Sequence, residues 1–206
     1  EAAELTVNVL CAVFYGAKEE YDPVSLMVNC AVECDSSISQ MCTDDGQKIR
    51  SGCTLVSLIV RDRQLYWCYV GDSRADLTRS GEFVQFTLDH NYRTVIDEKL
   101  RTGELDMEEY EHELKRGEAL ISYIGIGNLG LIDYNSSPIE LESGDRLIIM
   151  SDGLYRFLSD GEIHDCLEKY ADAAEALRKL EELVQISAKE RNASRDNMTV
   201  ALIDIL

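Results

Sequence analysis

Residues 53–70 decide the fold, and they read CTLVSLIVRDRQLYWCYV. Two runs rich in β-branched and aromatic residues flank the polar triplet Arg61-Asp62-Arg63, a pattern typical of two strands joined by a tight turn. The same alternation of strand-like runs and turn residues continues through Ser80-Gly81 to residue 87. We therefore predict an antiparallel meander of four strands, over 53–60, 64–70, 74–79 and 83–87.

Helical periodicity marks much of the remaining chain. Apolar residues recur at helical spacing over 1–16, and Asp22-Pro23 has the cap and first-turn proline of a second helix that ends at Asp44-Asp45-Gly46. Its predicted inner face includes Val28 and Val32. The charged stretch 92–117 indicates two helical pieces broken at 102–104. Two further helices are predicted, one opened by a Ser159–Glu162 capping box and reaching about residue 170, and one over 171–189 whose inner face includes Ala174 and Leu183.

Three more strands are predicted, over 119–123, 146–150 and 198–206. The run RLIIM at 146–150 is apolar on both faces, which favours a central, buried strand. Strands and helices occur in blocks, and no linker rich in Pro, Gly or Ser separates them. The sequence therefore predicts an α+β fold in one domain, residues 1–206.

Composition and charge exclude several classes of protein. The 206 residues are 45% hydrophobic, which excludes disordered and collagen-like chains. Asp and Glu number 39 against 20 Lys and Arg, a formal net charge of −19. No run of bases is longer than Lys115-Arg116, so we expect binding neither to nucleic acid nor to an anionic membrane surface. Such a charge favours solubility, or a local carboxylate cluster that binds a cation.

The seven cysteines indicate a reducing compartment. They are odd in number and lie mostly in apolar runs, so we predict reduced core residues in a cytoplasmic protein. No Cys-x-x-Cys pair is present, which argues against zinc. No apolar run approaches the roughly 20 residues of a membrane-spanning helix, and the first residues lack the pattern of a signal peptide.

Acidic residues stand where predicted strands begin or end. Asp72, Asp89 and Asp152 each follow a strand, and Asp196 precedes the last one. Strand ends are rigid enough to hold a carboxylate within the tolerance of a metal or a general base. The alternatives are a simple Asp-Gly turn at Asp152 and a salt bridge between Asp196 and Arg195. Hard oxygen ligands of this kind suit Mg²⁺ or Mn²⁺ rather than zinc.

Five segments in order resemble the metal-dependent PP2C-type (PPM) serine/threonine phosphatases of bacteria. They read SGCTLVSLIV (51–60), YVGDSRA (69–75), TLDHN (87–91), MSDGL (150–154) and RDNMTV (195–200). The helical insertion at 92–117 resembles the flap of the bacterial members. The resemblance implies an αββα sandwich of two antiparallel sheets with a helical layer outside each, which agrees with the α+β class.

The resemblance also implies roles for particular acids. Asp152 and Asp196 match the family's metal-ligand aspartates, which we expect to act in catalysis, and Asp89 matches the acid associated with a third metal. Asp72 and Arg74 belong to a motif that is structural in the family. The implied cofactors are two to three Mg²⁺ or Mn²⁺ ions, and the implied reaction is hydrolysis of phosphoserine or phosphothreonine in a protein by a metal-activated water. The substrates would be the products of a Ser/Thr kinase.

The chain departs from the family pattern at its start. Members carry an Asp-Gly-x-Gly-Gly turn and an earlier phosphate-binding Arg upstream of the first helix, and neither is present here. Asp45-Gly46 is not a replacement, because it follows a helix. We expect the sequence to be a fragment that lacks its N-terminal strands. The alternative is a catalytically inactive module that binds a partner or senses a ligand, and a generic acidic α+β domain is a third reading.

The segment GIGNLG at 125–130 has the G-x-G-x-x-G spacing of a dinucleotide site but lacks the helix that must follow it. We predict a flexible loop there. Of the histidines, His90 is expected to brace the loop beside Asp89. His112 and His164 are expected to be solvated on charged helices. The phosphoprotein substrate, the physiological metal and the oligomeric state are left open by the sequence.

Overall fold

The computed structural model describes residues 2–17, 21–43 and 45–206. In chain order its elements are α1 (Ala2–Gly16), α2 (Pro23–Ser39), β1 (Leu55–Arg61), β2 (Gln64–Val70), β3 (Arg74–Arg79), β4 (Glu82–Gln85), α3 (Tyr92–Thr102), α4 (Met107–Glu113), β5 (Asp133–Tyr134), β6 (Ile139–Glu140), β7 (Arg146–Met150), α5 (Asp152–Tyr155), α6 (Asp160–Lys169), α7 (Ala173–Glu190) and β8 (Val200–Asp204). Each helix that follows Asp22, Asn91, Asp106, Ser159 or Asp172 begins with a side-chain cap from that residue.

The first compact unit comprises the residues up to Asp72 together with Asp89–Ile139. Its antiparallel sheet has the order β1-β2-β5, with β6 also paired to β2. The β1–β2 register runs from Leu55 opposite Val70 to Arg61 opposite Gln64. The buried side chains of α2 pack with those of β1 and β2, and the core cluster contains Ala2, Ala31, Cys34, Ile38, Leu55, Val70 and Ile124.

The second compact unit comprises Ser73–Leu88 and Glu140–Leu206. Its sheet is antiparallel throughout, in the order β4-β3-β7-β8. The predicted central strand is confirmed, because β7 pairs with β3 on one side and β8 on the other and buries Leu147, Ile148 and Met150. Helices α5, α6 and α7 supply the rest of this core.

The α+β class is confirmed, whereas the single meander is wrong. The two predicted hairpins form, but β1–β2 belongs to one sheet and β3–β4 to the other. Turn spacing predicts hairpins from local sequence alone. It carries no information that β3 will pair with β7, about 70 residues later, instead of continuing the first sheet. The prediction of one domain over residues 1–206 stays a prediction.

The predicted strand at 119–123 is wrong. That segment makes only isolated bridges, Asn91 with Leu120 and Cys53 with Ile124. The second helix ends at Ser39, earlier than predicted, because the chain turns there and Ile49 donates its N–H to Met41 O at 2.9 Å. The predicted start of the first helix, at residue 1, lies outside the described residues, and so does Asp44 in the predicted end of the second helix.

Two helix faces also differ from the prediction. In α2 the buried side chains include Met27, Cys30 and Cys34, while Val32 is exposed. In α7 the buried stripe is Ala176, Leu180, Val184 and Ala188, and Ala174 and Leu183 are exposed. Both stripes keep the helical repeat and partly coincide with the predicted ones, since Ala31 and Ile38 in α2 and Leu180 and Val184 in α7 belong to both. Within the described ranges, no helix is both long and apolar enough to cross a membrane.

Candidate functional site

Asp152 lies where the central strand of the second unit gives way to a helix. Strand β7 ends at Met150, Ser151 follows in extended conformation, and Asp152 is the first residue of the one-turn helix α5. Its half-buried carboxylate forms an ion pair with Arg156, with 3.2 Å between Oδ2 and a guanidinium nitrogen. The sequence analysis missed this partner, although the i,i+4 spacing in a helix indicates it.

The segment that carries Asp196 lies beside the start of α5. Ser151 donates its N–H to Thr199 O at 3.0 Å, and Thr199 donates its N–H to Ser151 Oγ at 3.0 Å. A Cβ on Gly153 would come within 2.3 Å of the carbonyl oxygen of Asn197, so only glycine fits this approach. The tertiary structure thus brings together the two segments that carry Asp152 and Asp196, which are more than forty residues apart in sequence.

Asp196 itself is exposed, and its Oδ1 accepts the N–H of Asn197 at 2.7 Å. The salt bridge with Arg195 that we considered from sequence does not form within the described part of the chain. The Asp196 carboxylate, whose segment lies against Gly153, therefore has no side-chain cation as its partner among those residues. Its environment differs in this respect from that of Asp152.

Asp89 belongs to the first unit, in the loop before α3. Thr94 donates its hydroxyl to Asp89 O at 2.7 Å, and the N-cap Asn91 accepts the N–H of Thr94 at 3.2 Å. Asn91 Nδ2 lies 3.5 Å from Asp89 Oδ2. The carboxylate is half-buried, so the cap of α3 fixes the backbone of the loop while the side chain reaches solvent.

His90 braces this loop, as predicted. The ring is buried, and Nδ1 accepts the N–H of Gly71 at 3.2 Å. Because Nδ1 is the acceptor, Nε2 carries the proton and points to Asp133 Oδ2, 3.2 Å away. Tyr69 donates its hydroxyl to the same oxygen at 2.9 Å. His112 is exposed on α4, as predicted, whereas His164 is half-buried and stacked on Phe83.

The segment GIGNLG has a structural partner that sequence reasoning missed. Its backbone N–H groups at Gly125, Gly127 and Leu129 all point at Asp35 and lie 2.8, 3.0 and 3.1 Å from the carboxylate oxygens. Asp35 is 2% exposed and comes from α2. Gly125 and Gly127 have φ of +102° and +74°, which permits this convergence of amides. The segment binds a carboxylate of its own chain.

The cysteines are free, and their chemistry excludes several of them as nucleophiles. Burial raises the pKa of Cys68 to about 12 and that of Cys34 to about 11. Burial also raises the pKa of Cys30, Cys53 and Cys166. These five thiols stay protonated near neutral pH, whereas a nucleophilic cysteine needs a lowered pKa.

The donor atoms suit a hard divalent cation in type. Asp152 and Asp196 bring carboxylate oxygens on adjoining segments, and oxygen is what Mg²⁺ and Mn²⁺ prefer. Across residues 2–17, 21–43 and 45–206, no three His, Cys, Asp or Glu side chains are grouped closely enough to hold a metal ion. The second unit therefore supplies ligands of the correct kind from two segments, without closing a set of three.

Known proteins resemble this chain in sequence and in fold. A family model described as Protein phosphatase 2C matches residues 18–114. The protein phosphatase PhpP of Streptococcus pneumoniae is 34% identical over 154 residues, 75% of this chain and 58% of the relative. The S. agalactiae serine/threonine phosphatase structure is 25% identical, with a TM-score of 0.76 over 100% of this chain and 81% of that one.

A third similar structure is the catalytic domain of the serine/threonine protein phosphatase PstP in complex with two manganese ions. It is 21% identical, with a TM-score of 0.75 over 100% of this chain and 81% of that one, so the likeness shows the fold. The matched part of this chain spans a little over half the length of the pneumococcal relative, 58%.

Proposed function

We propose that this chain, which is similar to members of the protein phosphatase 2C family, acts as a metal-dependent protein serine/threonine phosphatase. The observation that carries the proposal is the approach of the Asn197 carbonyl to Gly153. It joins the MSDGL and RDNMTV segments, whose acids are the metal-ligand candidates. An acidic domain whose aspartates only make turns would have no need for this glycine-dependent contact.

We propose Asp152, Asp196 and Asp89 as metal ligands. The family is metal-dependent, and the PstP structure in complex with two manganese ions supports Mn²⁺ as an occupant. Two to three Mg²⁺ or Mn²⁺ ions are proposed here. When bound, such ions lower the pKa of a bound water for attack on phosphorus and neutralise the phosphoryl oxygens.

The chain's own residues position these acids. Strand β7 and the first turn of α5 hold the Asp152 backbone, while Ser151 and Thr199 fix the segment of Asp196 to it through two hydrogen bonds. Arg156 neutralises Asp152 in the structure described here. A cation that binds Oδ2 has to share or displace this guanidinium, so Arg156 is proposed to tune metal affinity.

The proposed substrates are phosphoproteins made by a Ser/Thr kinase, and the proposed location is the cytoplasm. A net charge of −19 disfavours nucleic acid and anionic membranes as partners. The charged helices α3 and α4 form most of the flap-like insertion at 92–117, which we propose contributes to substrate choice. No oligomeric state is proposed.

The test measures Mn²⁺ binding by calorimetry and Mn²⁺-dependent hydrolysis of a phosphothreonine peptide. Asp152→Asn is expected to weaken Mn²⁺ binding at least tenfold and to lower turnover by a factor of a hundred or more. Asp165→Asn, an exposed acid on α6, is the matched control and should change neither. Activity that survives both chelation and Asp152→Asn contradicts the proposal. Binding of the phosphothreonine peptide without Mn²⁺ and without turnover favours an inactive module.

A further inference from the structure

A polar cleft of about 660 Å³ lies within the first unit, and none of the residues discussed as metal ligands lines it. Its walls come from the end of α2, the segment 48–52 and the glycine segment 123–127. Hydroxyl and amide groups of Ser39, Gln40, Ser51 and Tyr123 line it. This volume lies within the range of pockets that bind small ligands.

The charged side chains that line this cleft are both basic. Lys48 and Arg50 are exposed, and no carboxylate of residues 2–17, 21–43 and 45–206 belongs to the lining. Neither base forms an ion pair with any carboxylate of the described ranges. The chain has 39 acids and 20 bases, so its net charge is negative. Lys48 and Arg50 nevertheless give this cleft a local positive charge.

Two acids in segments that adjoin the cleft walls, Asp35 and Asp45, accept hydrogen bonds from other groups. Asp35 lies under the glycine segment, where three backbone N–H groups satisfy its buried carboxylate. Asp45, in the turn before Lys48, accepts hydrogen bonds from Thr43 and Gln47, and the Thr43 hydroxyl lowers its pKa. These contacts hold both carboxylates in place by bonds other than ion pairs with Lys48 or Arg50.

The floor of the cleft is fixed by backbone packing. A Cβ on Gly52 would lie 2.6 Å from the Tyr123 ring, and a Cβ on Gly125 would lie 2.5 Å from Ser51 O. Cys53 and Ile124 exchange backbone hydrogen bonds at 3.0 and 2.9 Å, and this isolated bridge joins the two walls. A rigid floor lowers the entropy lost when a ligand is ordered.

We propose that this cleft binds a phosphate dianion, free or esterified, through Lys48 and Arg50. The planar guanidinium can donate two parallel hydrogen bonds to phosphate oxygens, the ammonium adds a point charge, and the hydroxyls of Ser51 and Tyr123 are further donors. The phosphate comes either from a phosphorylated residue of a polypeptide or from free inorganic phosphate. Binding here requires neither turnover nor the metal ions.

The test uses the whole chain with EDTA present, so that hydrolysis does not occur. Calorimetry measures binding of inorganic phosphate, a phosphoserine peptide, the same peptide with Ser and the same peptide with Glu. Lys48→Gln/Arg50→Gln is expected to weaken binding of the phosphoserine peptide at least tenfold. The matched control Lys115→Gln/Lys189→Gln removes the same charge from exposed sites outside the cleft and should leave the affinity within twofold.

Amide chemical shifts locate the site. Shifts confined to 48–52 and 123–127 support the proposal, with tighter binding of the peptide indicating a polypeptide source and equal binding indicating free phosphate. Equal affinity for the Glu peptide, or an unchanged affinity in the Lys48/Arg50 variant, overturns it. Asp152→Asn should retain this metal-free binding while losing hydrolysis, so failure of the cleft and failure of the phosphatase proposal are separate results.

Discussion

Asp35 shows how one buried carboxylate can organise a loop that is distant in sequence. Three backbone N–H groups from 125–129 converge on its two oxygens, and the residue is 2% exposed. Each amide satisfied in this way would otherwise be a buried donor without a partner. The glycines at 125 and 127 serve this geometry, which explains a dinucleotide-like spacing in a chain without a dinucleotide site.

Asp35→Asn is expected to destabilise the chain by about 2 kcal/mol. The amide nitrogen of Asn is a donor, so it would face at least one backbone N–H donor that now has an acceptor. Urea unfolding at pH 7 measures the loss. Glu33→Gln, an exposed position on the same helix, is the control and should stay within about 0.5 kcal/mol of the parent. Equal stability of the two variants would contradict the account.

Gly153→Ala is expected to cost about 2 kcal/mol or more and to displace the segment of Asp196. The added Cβ would lie 2.3 Å from Asn197 O, a backbone atom that cannot rotate away. Thermal unfolding measures stability, and amide shifts of 196–199 report the displacement. Gly161→Ala on α6 has open space around its Cβ and should be neutral or stabilising by up to about 1 kcal/mol. Unchanged thermal stability and unchanged amide shifts in Gly153→Ala would contradict the close contact between the segments of Asp152 and Asp196.

At the scale of a single helix, α6 depends on its first turn. Ser159 Oγ accepts the N–H of Glu162 at 3.3 Å, and Glu162 Oε2 accepts the N–H of Ser159 at 2.8 Å. The pKa of Glu162 is lowered first by the hydrogen bond from the Ser159 N–H and then by the one that the Ser159 hydroxyl donates to Oε2 at 2.8 Å. A carboxyl with a lowered pKa stabilises the fold above its unfolded pKa, and that stability is lost as the pH falls through the folded pKa.

Ser159→Ala is expected to lower stability by about 1 kcal/mol at pH 7 and to raise the pKa of Glu162 towards its usual value. The difference in stability between parent and variant should shrink as the pH falls through the lowered pKa of Glu162, below which the carboxyl is protonated in both. NMR titration of the Glu162 side chain checks the direction of the shift. Ser37→Ala, exposed within α2, should lack both effects, and an unshifted Glu162 in Ser159→Ala would refute the capping argument.

For the whole molecule, the excess of acids predicts a stability that rises with salt. A net charge of −19 destabilises a compact chain through self-repulsion, and added salt screens it. Raising NaCl from 20 to 200 mM is expected to increase Tm by about 3 °C, as for roughly 1 kcal/mol in a chain of this size. Glu111→Lys reduces the formal charge to −17 and should lessen the salt response. A Tm that falls with NaCl would show that ion pairs outweigh the repulsion.

Local sequence predicted the helices and hairpins well where a cap or a turn defines them. Asp22-Pro23, the Ser159 capping box and the break at 102–104 all lie where the residues indicate. The strand at 119–123 failed, because its apolar pattern is used by isolated bridges and loop packing instead of a ladder. The inner faces of α2 and α7 were predicted in part, since Ala31 and Leu180 are buried as expected whereas Val32 and Ala174 are exposed.

Sequence alone therefore predicted most of the elements, the resemblance to PP2C-type phosphatases and the candidate acids Asp89, Asp152 and Asp196, because caps, turns and motifs depend on a few neighbouring residues. The tertiary structure decided which hairpins share a sheet, which loop encloses Asp35 and which segment lies against Gly153. It also brought Lys48 and Arg50 to one cleft with Tyr123. These pairings join residues from about 40 to 90 positions apart, and long-range packing selects them among many partners that the local pattern allows equally.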